Sequence, residues 1–402
     1  MSRVIIAGGG IGGLATALAL ARTGHQVTVL EKAARFAEIG AGIQLAPNGL
    51  HALDQLGVGA TVRAGAVRMD ELRFMDGVTG EHVTSLELTE AYRRRFGRPY
   101  VVVHRAELHT ALLDACRDTA AIELRSDAPV LGYGQEDLSV WVTLADGERV
   151  DGEVVIGADG LHSAIRQQMV GDGDPIVSGI TVYRAVVEMD RVPADLRYDR
   201  SVVWWAGPGC HFVHYPIAGG RYLNLAASSV DGSTTAVAGR PVSRERARAE
   251  FPALGGTAQR LLALGEEWKT WTLVDREPVD TWTEGRVALL GDAAHPMLHY
   301  AAQGACQALE DAVVLARHLT PGASPEAGLR GYAAERAGRT AAVQRAARNS
   351  VVLWHPAGAA ARRRNERLRG LSQQDLREHL AWMHGTRVAG APVRPTVQGV
   401  AA

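Results

Sequence analysis

Cysteine is scarce in this chain: three residues, Cys116, Cys210 and Cys306, an odd count with no C-x-x-C spacing. That argues against a disulfide framework and against a zinc knuckle, and it fits a reducing compartment, the cytoplasm. An excess of one charge sign is also missing, since 43 Lys+Arg against 44 Asp+Glu leave a formal −1. A dedicated nucleic-acid binder would carry a basic surplus. Lysine is nearly absent, with only Lys32 and Lys269; the arginine-dominated remainder reads as the base composition of a GC-rich bacterial genome rather than as function. One uncharged stretch, residues 4–21, approaches spanning length, but five glycines break it (Gly8, Gly9, Gly10, Gly12, Gly13) and no strongly basic region precedes it. No transmembrane segment is therefore expected. Internal repeats and low-complexity tracts are lacking as well.

What is present is enough chain, 402 residues, for about two or three domains with a substantial core. Residues 3–7 (RVIIA) form an apolar β-branched run, the pattern of a buried parallel strand. Glycines follow, then a helix over 14–22 and a second buried strand over 26–30 (QVTVL), together a β-α-β unit. Further on, the pattern predicts a strand over 100–103, a helix over 107–116, and a strand pair made by 140–144 and 154–158. Short alternating segments between 177 and 282 (181–187, 202–205, 211–215, 222–227) predict an antiparallel sheet. A buried strand over 286–290, a helix over 304–318, an Arg-rich helical region to about His384 and a loose tail over the last 17 residues complete the reading. The expected architecture is α/β: a Rossmann-like domain (1–176 and 285–350), an inserted β-rich substrate domain (177–284), and C-terminal helices with the tail (351–402).

Three blocks carry chemistry. Gly8, Gly10 and Gly13 occupy the G-x-G-x-x-G positions, with Gly12 between the last two. Such glycines allow a tight strand-to-helix turn, and the helix N-terminus then offers N–H groups to a pyrophosphate. Glu31, directly after the second strand, is placed to hold ribose hydroxyls. The second block is Gly157-Ala158-Asp159-Gly160, and the third is Gly291-Asp292-Ala293-Ala294-His295-Pro296 with Gln303-Gly304-Ala305 after it. An aspartate at the carboxyl end of a strand can accept from a ligand hydroxyl. Taken alone, each is equally suited to capping a helix.

In this order and spacing the three blocks resemble the single-component FAD-dependent aromatic hydroxylases, over essentially the whole chain to about residue 385. The resemblance implies tightly bound, non-covalent FAD. Its ADP half would lie on the first block and Glu31, with Arg105 as a cofactor contact. Asp159 would serve both FAD and the nicotinamide, and Asp292 the ribityl chain. Pro296, Gly304 and Ala305 would surround the isoalloxazine ring. NADH or NADPH would visit transiently, because there is only one G-x-G-x-x-G unit. The 207–212 and 275–278 stretches, Tyr215-Pro216 and Leu353-Trp354-His355 are most similar to the branch that 6-hydroxylates 3-hydroxybenzoate. That branch has Pro-Leu-Gln-Tyr after Pro296, where this chain has Met297-Leu298-His299-Tyr300. The 303–305 ending is closer to salicylate and hydroxynicotinate hydroxylases.

The resemblance also implies the partners, a small aromatic hydroxy acid and O2, with a homodimer left open. Activating a phenol for electrophilic oxygen needs a base, and histidine titrates near neutrality. His211 is the first candidate base; period two places it on one strand face with Val213 and Tyr215, and His214 on the other. A metal site from His211 and His214 is therefore not expected. Without the resemblance, a satisfied core histidine would be the better reading of His211. Tyr215 is the candidate to orient the phenol, and His299 the second base or a hydrogen-bond partner. His295 is read as structural. Trp204, Trp205 and Tyr183 are weaker candidates for pocket lining, and the arginine runs at 93–95 and 362–364 read as solvated surface. Other readings remain: a decarboxylating salicylate-type hydroxylase, a hydroxylase of a larger biosynthetic phenol, a flavin reductase or dehydrogenase, and a non-catalytic nucleotide sensor.

Overall fold

Val4, Ile5 and Ile6 are at most 2% exposed, so the first strand must be covered on both faces, as parallel strands are. In the computed structural model, which describes residues 2–37 and 42–389, Arg3–Ala7 lies inside a six-stranded sheet. Its order is Thr283–Glu284, Val287–Leu289, Val154–Gly157, Arg3–Ala7, Gln26–Leu30, Ile122–Arg125. All neighbours are parallel except the edge strand Thr283–Glu284. The first helix, Ile11–Arg22, starts from an extended Gly10 and is buried along most of its length. It packs against the helix Gly304–His318, whose residues 306–316 are all buried.

The second sheet has eight strands, in the order Ala238–Val242, Trp268–Asp275, Ile176–Glu188, Tyr222–Val230, Cys210–Ile217, Ser201–Gly207, Glu71–Asp76, His82–Glu87. Only Ser201–Gly207 and Glu71–Asp76 run parallel. Cross-strand register sorts its side chains. Tyr183, Ala227, Phe212 and Trp205 align in one row and join a core with Phe251 and Leu261 under the helices Arg244–Ala249 and Gly256–Leu262. The neighbouring row, Arg184, Ala226, Val213 and Trp204, points the other way.

The fold is therefore α/β, a Rossmann-like domain joined to a largely antiparallel sheet and followed by helices. Several particulars differ from the sequence expectation. Val140–Leu144 does not pair with 154–158; it lies between Val130–Gln135 and Arg149–Gly152 in a separate three-stranded sheet. The strand Val154–Gly157 is fully buried and belongs in the parallel sheet instead. The hairpin of 71–87 adds two strands to the second sheet, so that unit is not confined to 177–284. A single helix, Pro325–Trp354, runs through residue 350 without a break. Arg364 is buried and bonds to Asn365, unlike its exposed neighbours Arg362 and Arg363. Residues 390–402, most of the expected tail, lie outside the described residues. Among the described residues no helix is long and apolar enough to cross a membrane.

Candidate active site

The first strand hands directly into a turn that only glycine can make. Gly8 has φ +106°, and a Cβ there would lie 2.3 Å from the Ala158 carbonyl oxygen; one on Gly13 would lie 1.9 Å from the Gly8 oxygen. Glu31 holds this turn from below, its carboxylate accepting from the Gly9 and Ala33 N–H groups at 2.8 and 2.9 Å. His109 bonds the Gly9 carbonyl at 2.8 Å. Gly10, Gly12, Glu31 and Arg105 all line one end of a cleft of about 510 Å3.

Ser163 is the N-cap of the helix Ala164–Met169 and Asp159 reinforces that cap: its Oδ2 accepts from the Ala164 and Ile165 N–H groups at 2.8 and 3.3 Å. Its Oδ1 is buried without a hydrogen-bond partner, and burial raises its pKa. Capping and ligand contact were alternatives in the sequence; the geometry lets one carboxylate do both, one oxygen for each. Asp292 is exposed at the cleft. Its turn is anchored from beneath by charges. His295 bonds Asp311 at 2.5 Å, Asp311 also accepts from the Gly291 N–H, and Arg336 reaches Asp311 and Glu310 at 2.6 and 2.5 Å. Burial pushes the Asp311 pKa up, but His295 and Arg336 outweigh it and hold the group at about 2. His295 is thus structural, through a carboxylate rather than backbone. Buried Arg166 donates to the Ala293 and Ala294 carbonyls and pairs with Asp172, and Gln344 donates to the Pro296 carbonyl. Ala302 sits in the left-handed region at φ 51°, and Gly304 then opens its helix with nothing within 4 Å of a Cβ. The glycine cradle, the unpartnered Asp159 oxygen and the open helix N-terminus at Gly304 and Ala305 suit a long nucleotide bearing a pyrophosphate and a flat ring. These residues fit FAD.

At the opposite wall of the same cleft, His211 is 3% exposed. Its Nδ1 lies 2.9 Å from His355 Nε2. His299 stands with its ring 5.7 Å from His211 and its Nε2 3.4 Å from Ser228 Oγ. Tyr300 and Trp354 rings complete the enclosure at 5.0 and 5.5 Å from His211. Burial first, then the neighbouring imidazoles, pulls His211 well below its ordinary pKa. Burial likewise lowers His299 to about 3 and His355 to about 4. All three are neutral at pH 7. Tyr215 shares the cleft, but its hydroxyl donates to the Gly42 carbonyl at 2.9 Å. His214 is fully buried on the far face, against Phe212 and Trp205. Only Trp204 of the Trp204, Trp205 and Tyr183 group reaches the cleft.

Sequence reasoning missed two functional candidates. In the sequence His355 stands only as part of the resembling 353–355 stretch, yet it meets His211 from 144 residues away. Arg184 is silent in the sequence, because one arginine in a strand carries no motif. Its only available signal was alternation, which puts it opposite Tyr183 and so on the cleft face.

Residues 1–347 match the family described as "FAD binding domain". Among curated relatives, 3-hydroxybenzoate 6-hydroxylase 1 of Aquipseudomonas alcaligenes is 45% identical over 96% of this chain and 98% of its own. The 3-amino-4-hydroxybenzoate 2-monooxygenase of Streptomyces cremeus is 37% identical over 97% and 96%. Among solved structures, Klebsiella pneumoniae HpxO complexed with FAD and uric acid aligns with a TM-score of 0.82 and 27% identity, covering 94% of this chain and 95% of that one. With a fingerprint that fits the nucleotide and relatives matched end to end, the chain belongs to the FAD-binding family of flavin-dependent aromatic monooxygenases.

Proposed function

We propose that this enzyme hydroxylates a monohydroxybenzoate, converting 3-hydroxybenzoate to 2,5-dihydroxybenzoate at the expense of NAD(P)H and O2. The observation that carries the reading is neutral His211, facing the same cleft as the glycine fingerprint with His355 against its other ring nitrogen. FAD, once reduced by the nicotinamide, supplies from O2 an electrophilic oxygen; the residues must prepare the ring to receive it. With His211 Nδ1 donating to His355 Nε2, His211 Nε2 keeps its lone pair and accepts the phenolic proton. The resulting phenolate pushes charge to the ring carbon para to itself, which in 3-hydroxybenzoate is C6. One base thus accounts for both activation and regiochemistry. Tyr215 fixes the rim of the site through Gly42, and Trp354 and Tyr300 exclude water from the reacting face. The names carried by relatives at 45, 40 and 41% identity support the substrate.

The imidazole of His299 is the observation that favours a second reading, a differently substituted hydroxybenzoate, since it changes which donors a ligand meets. Oxygen uptake and product analysis over a panel of hydroxybenzoates test both. Gentisate from 3-hydroxybenzoate with matched NAD(P)H consumption is expected. Catechol from salicylate, or peroxide release with every member of the panel, overturns the assignment.

A further inference from the structure

The deeply buried arginines of this protein have acids. Arg166 pairs with Asp172, Arg276 with Asp172, and Arg336 with Glu310 and Asp311. Arg184 is different. It stands in the interior strand Ile176–Glu188 of the second sheet and faces the cleft. Among the described residues no carboxylate lies within ion-pair distance of it, and its Nε is buried with no hydrogen-bond partner. The nearest ring face is Trp271, 5.7 Å from the guanidinium carbon. Arg184 is half-buried with its guanidinium open to the cleft, and once a ligand displaces the cleft water that charge is strongly disfavoured unless an anion meets it.

We propose that Arg184 is the anchor for the carboxylate of the aromatic substrate; this rests on the hydroxybenzoate reading above and adds the group that selects an acid. The sheet supports the geometry. Arg184 is in register with Ala226, while His211 is in register with Ser228 on the next strand over. Two strand spacings sideways and two residues along place the Cα atoms of Arg184 and His211 about 12 Å apart. Both side chains line the same cleft from one face of the sheet, so a single ring lying between them can meet the guanidinium at one edge and the imidazole at the other. A meta-hydroxybenzoate presents its carboxylate and hydroxyl at that kind of separation, to Arg184 at one end and His211 at the other. The planar fork of arginine suits a carboxylate bidentately.

The test titrates FAD-loaded, oxidised protein with 3-hydroxybenzoate, benzoate and the neutral 3-hydroxybenzyl alcohol, following the flavin absorbance change. For Arg184→Gln we expect the two acids to bind about 10- to 100-fold more weakly, with the alcohol unchanged and FAD retained. Arg184→Lys, which keeps a charge without the fork, should fall between. Equal loss for acids and alcohol, or no loss for either, overturns the anchor. Release of FAD or a shifted flavin spectrum before ligand is added assigns Arg184 to the cofactor and also overturns it. If wild type binds benzoates in an Arg184-dependent way yet hydroxylates none, the anchor stands and the substrate reading falls. If wild type makes gentisate while Arg184→Gln binds the acid normally, the reverse holds.

Discussion

At the scale of single residues, the cleft separates two duties that one histidine could not perform alone. A base must be neutral to accept a proton, and burial keeps His211 neutral while weakening it as a base; it must also present the correct nitrogen, and His355 occupies the other one. Replacing His211 by alanine should therefore lower hydroxylation by roughly 10²-fold or more, while FAD binding and NAD(P)H-driven flavin reduction persist. Stopped-flow reduction beside product yield distinguishes these steps. Normal hydroxylation by His211→Ala together with its loss in His299→Ala would transfer the role of base to His299. Asp292 makes a separate forecast. It is exposed at the cleft, so Asp292→Ala should leave the melting temperature of the flavin-free protein nearly unchanged and weaken FAD retention. Dialysis followed by flavin fluorescence measures this, and unchanged retention would remove Asp292 from the cofactor site.

At the scale of elements, the helix Pro325–Trp354 ties the motifs together. Along its length Arg336 holds Glu310 and Asp311, Gln344 holds the Pro296 carbonyl, and Arg348 holds Asp275 and Glu277. Past its end, the His355 carbonyl accepts from Gly209 at 3.1 Å while its ring meets His211. Arg336→Met would take from two buried carboxylates the cation they share, leaving Glu310 to Arg339 and Asp311 to His295, a loss of up to about 3–5 kcal/mol, the range for a buried pair broken on one side. We expect a lower melting temperature and, because the Gly291–His295 turn rests on Asp311, faster FAD loss. Thermal melts with and without added FAD check it; an unchanged melt would mean the carboxylates are satisfied otherwise. Motifs of this kind were legible where their partners are close in sequence. The strand, glycine turn, helix and Glu31 all fall within residues 3–31, and burial on both faces makes 4–7 an unbroken apolar run. The hairpin of 71–87 was not legible, because its sheet partner is Ser201–Gly207 and the pairing is made only in the folded chain. Arg184 and His355 escaped for the same reason. Each gains meaning from a neighbour contributed by another strand or helix, and neither belongs to a local pattern.

At the scale of the whole molecule, histidine burial sets the response to acid. Seven histidines, His25, His51, His211, His214, His299, His355 and His384, have pKa values lowered chiefly by burial. The unfolded chain binds protons at these sites below about pH 6.5, whereas the folded chain does not until lower pH. Their contribution to stability is therefore present above that value and is lost as pH falls toward the folded pKa values. His214 isolates the effect from catalysis. It is fully buried on the face of the second sheet away from the cleft, with both ring nitrogens unpartnered and a pKa of about 3. Tyr198, Phe212 and Trp205 surround it. His214→Phe removes a titrating group and two orphaned polar atoms from an aromatic cluster, so at pH 7 stability should hold or rise. Between pH 6.5 and 3 the variant should lose up to ~1.4 kcal/mol less stability per pH unit than wild type. Urea unfolding at pH 7, 6 and 5 reads the difference directly. A gap between the two proteins that widens as pH falls agrees with a buried neutral imidazole. A constant gap would show that His214 does not take up its proton on unfolding in this range.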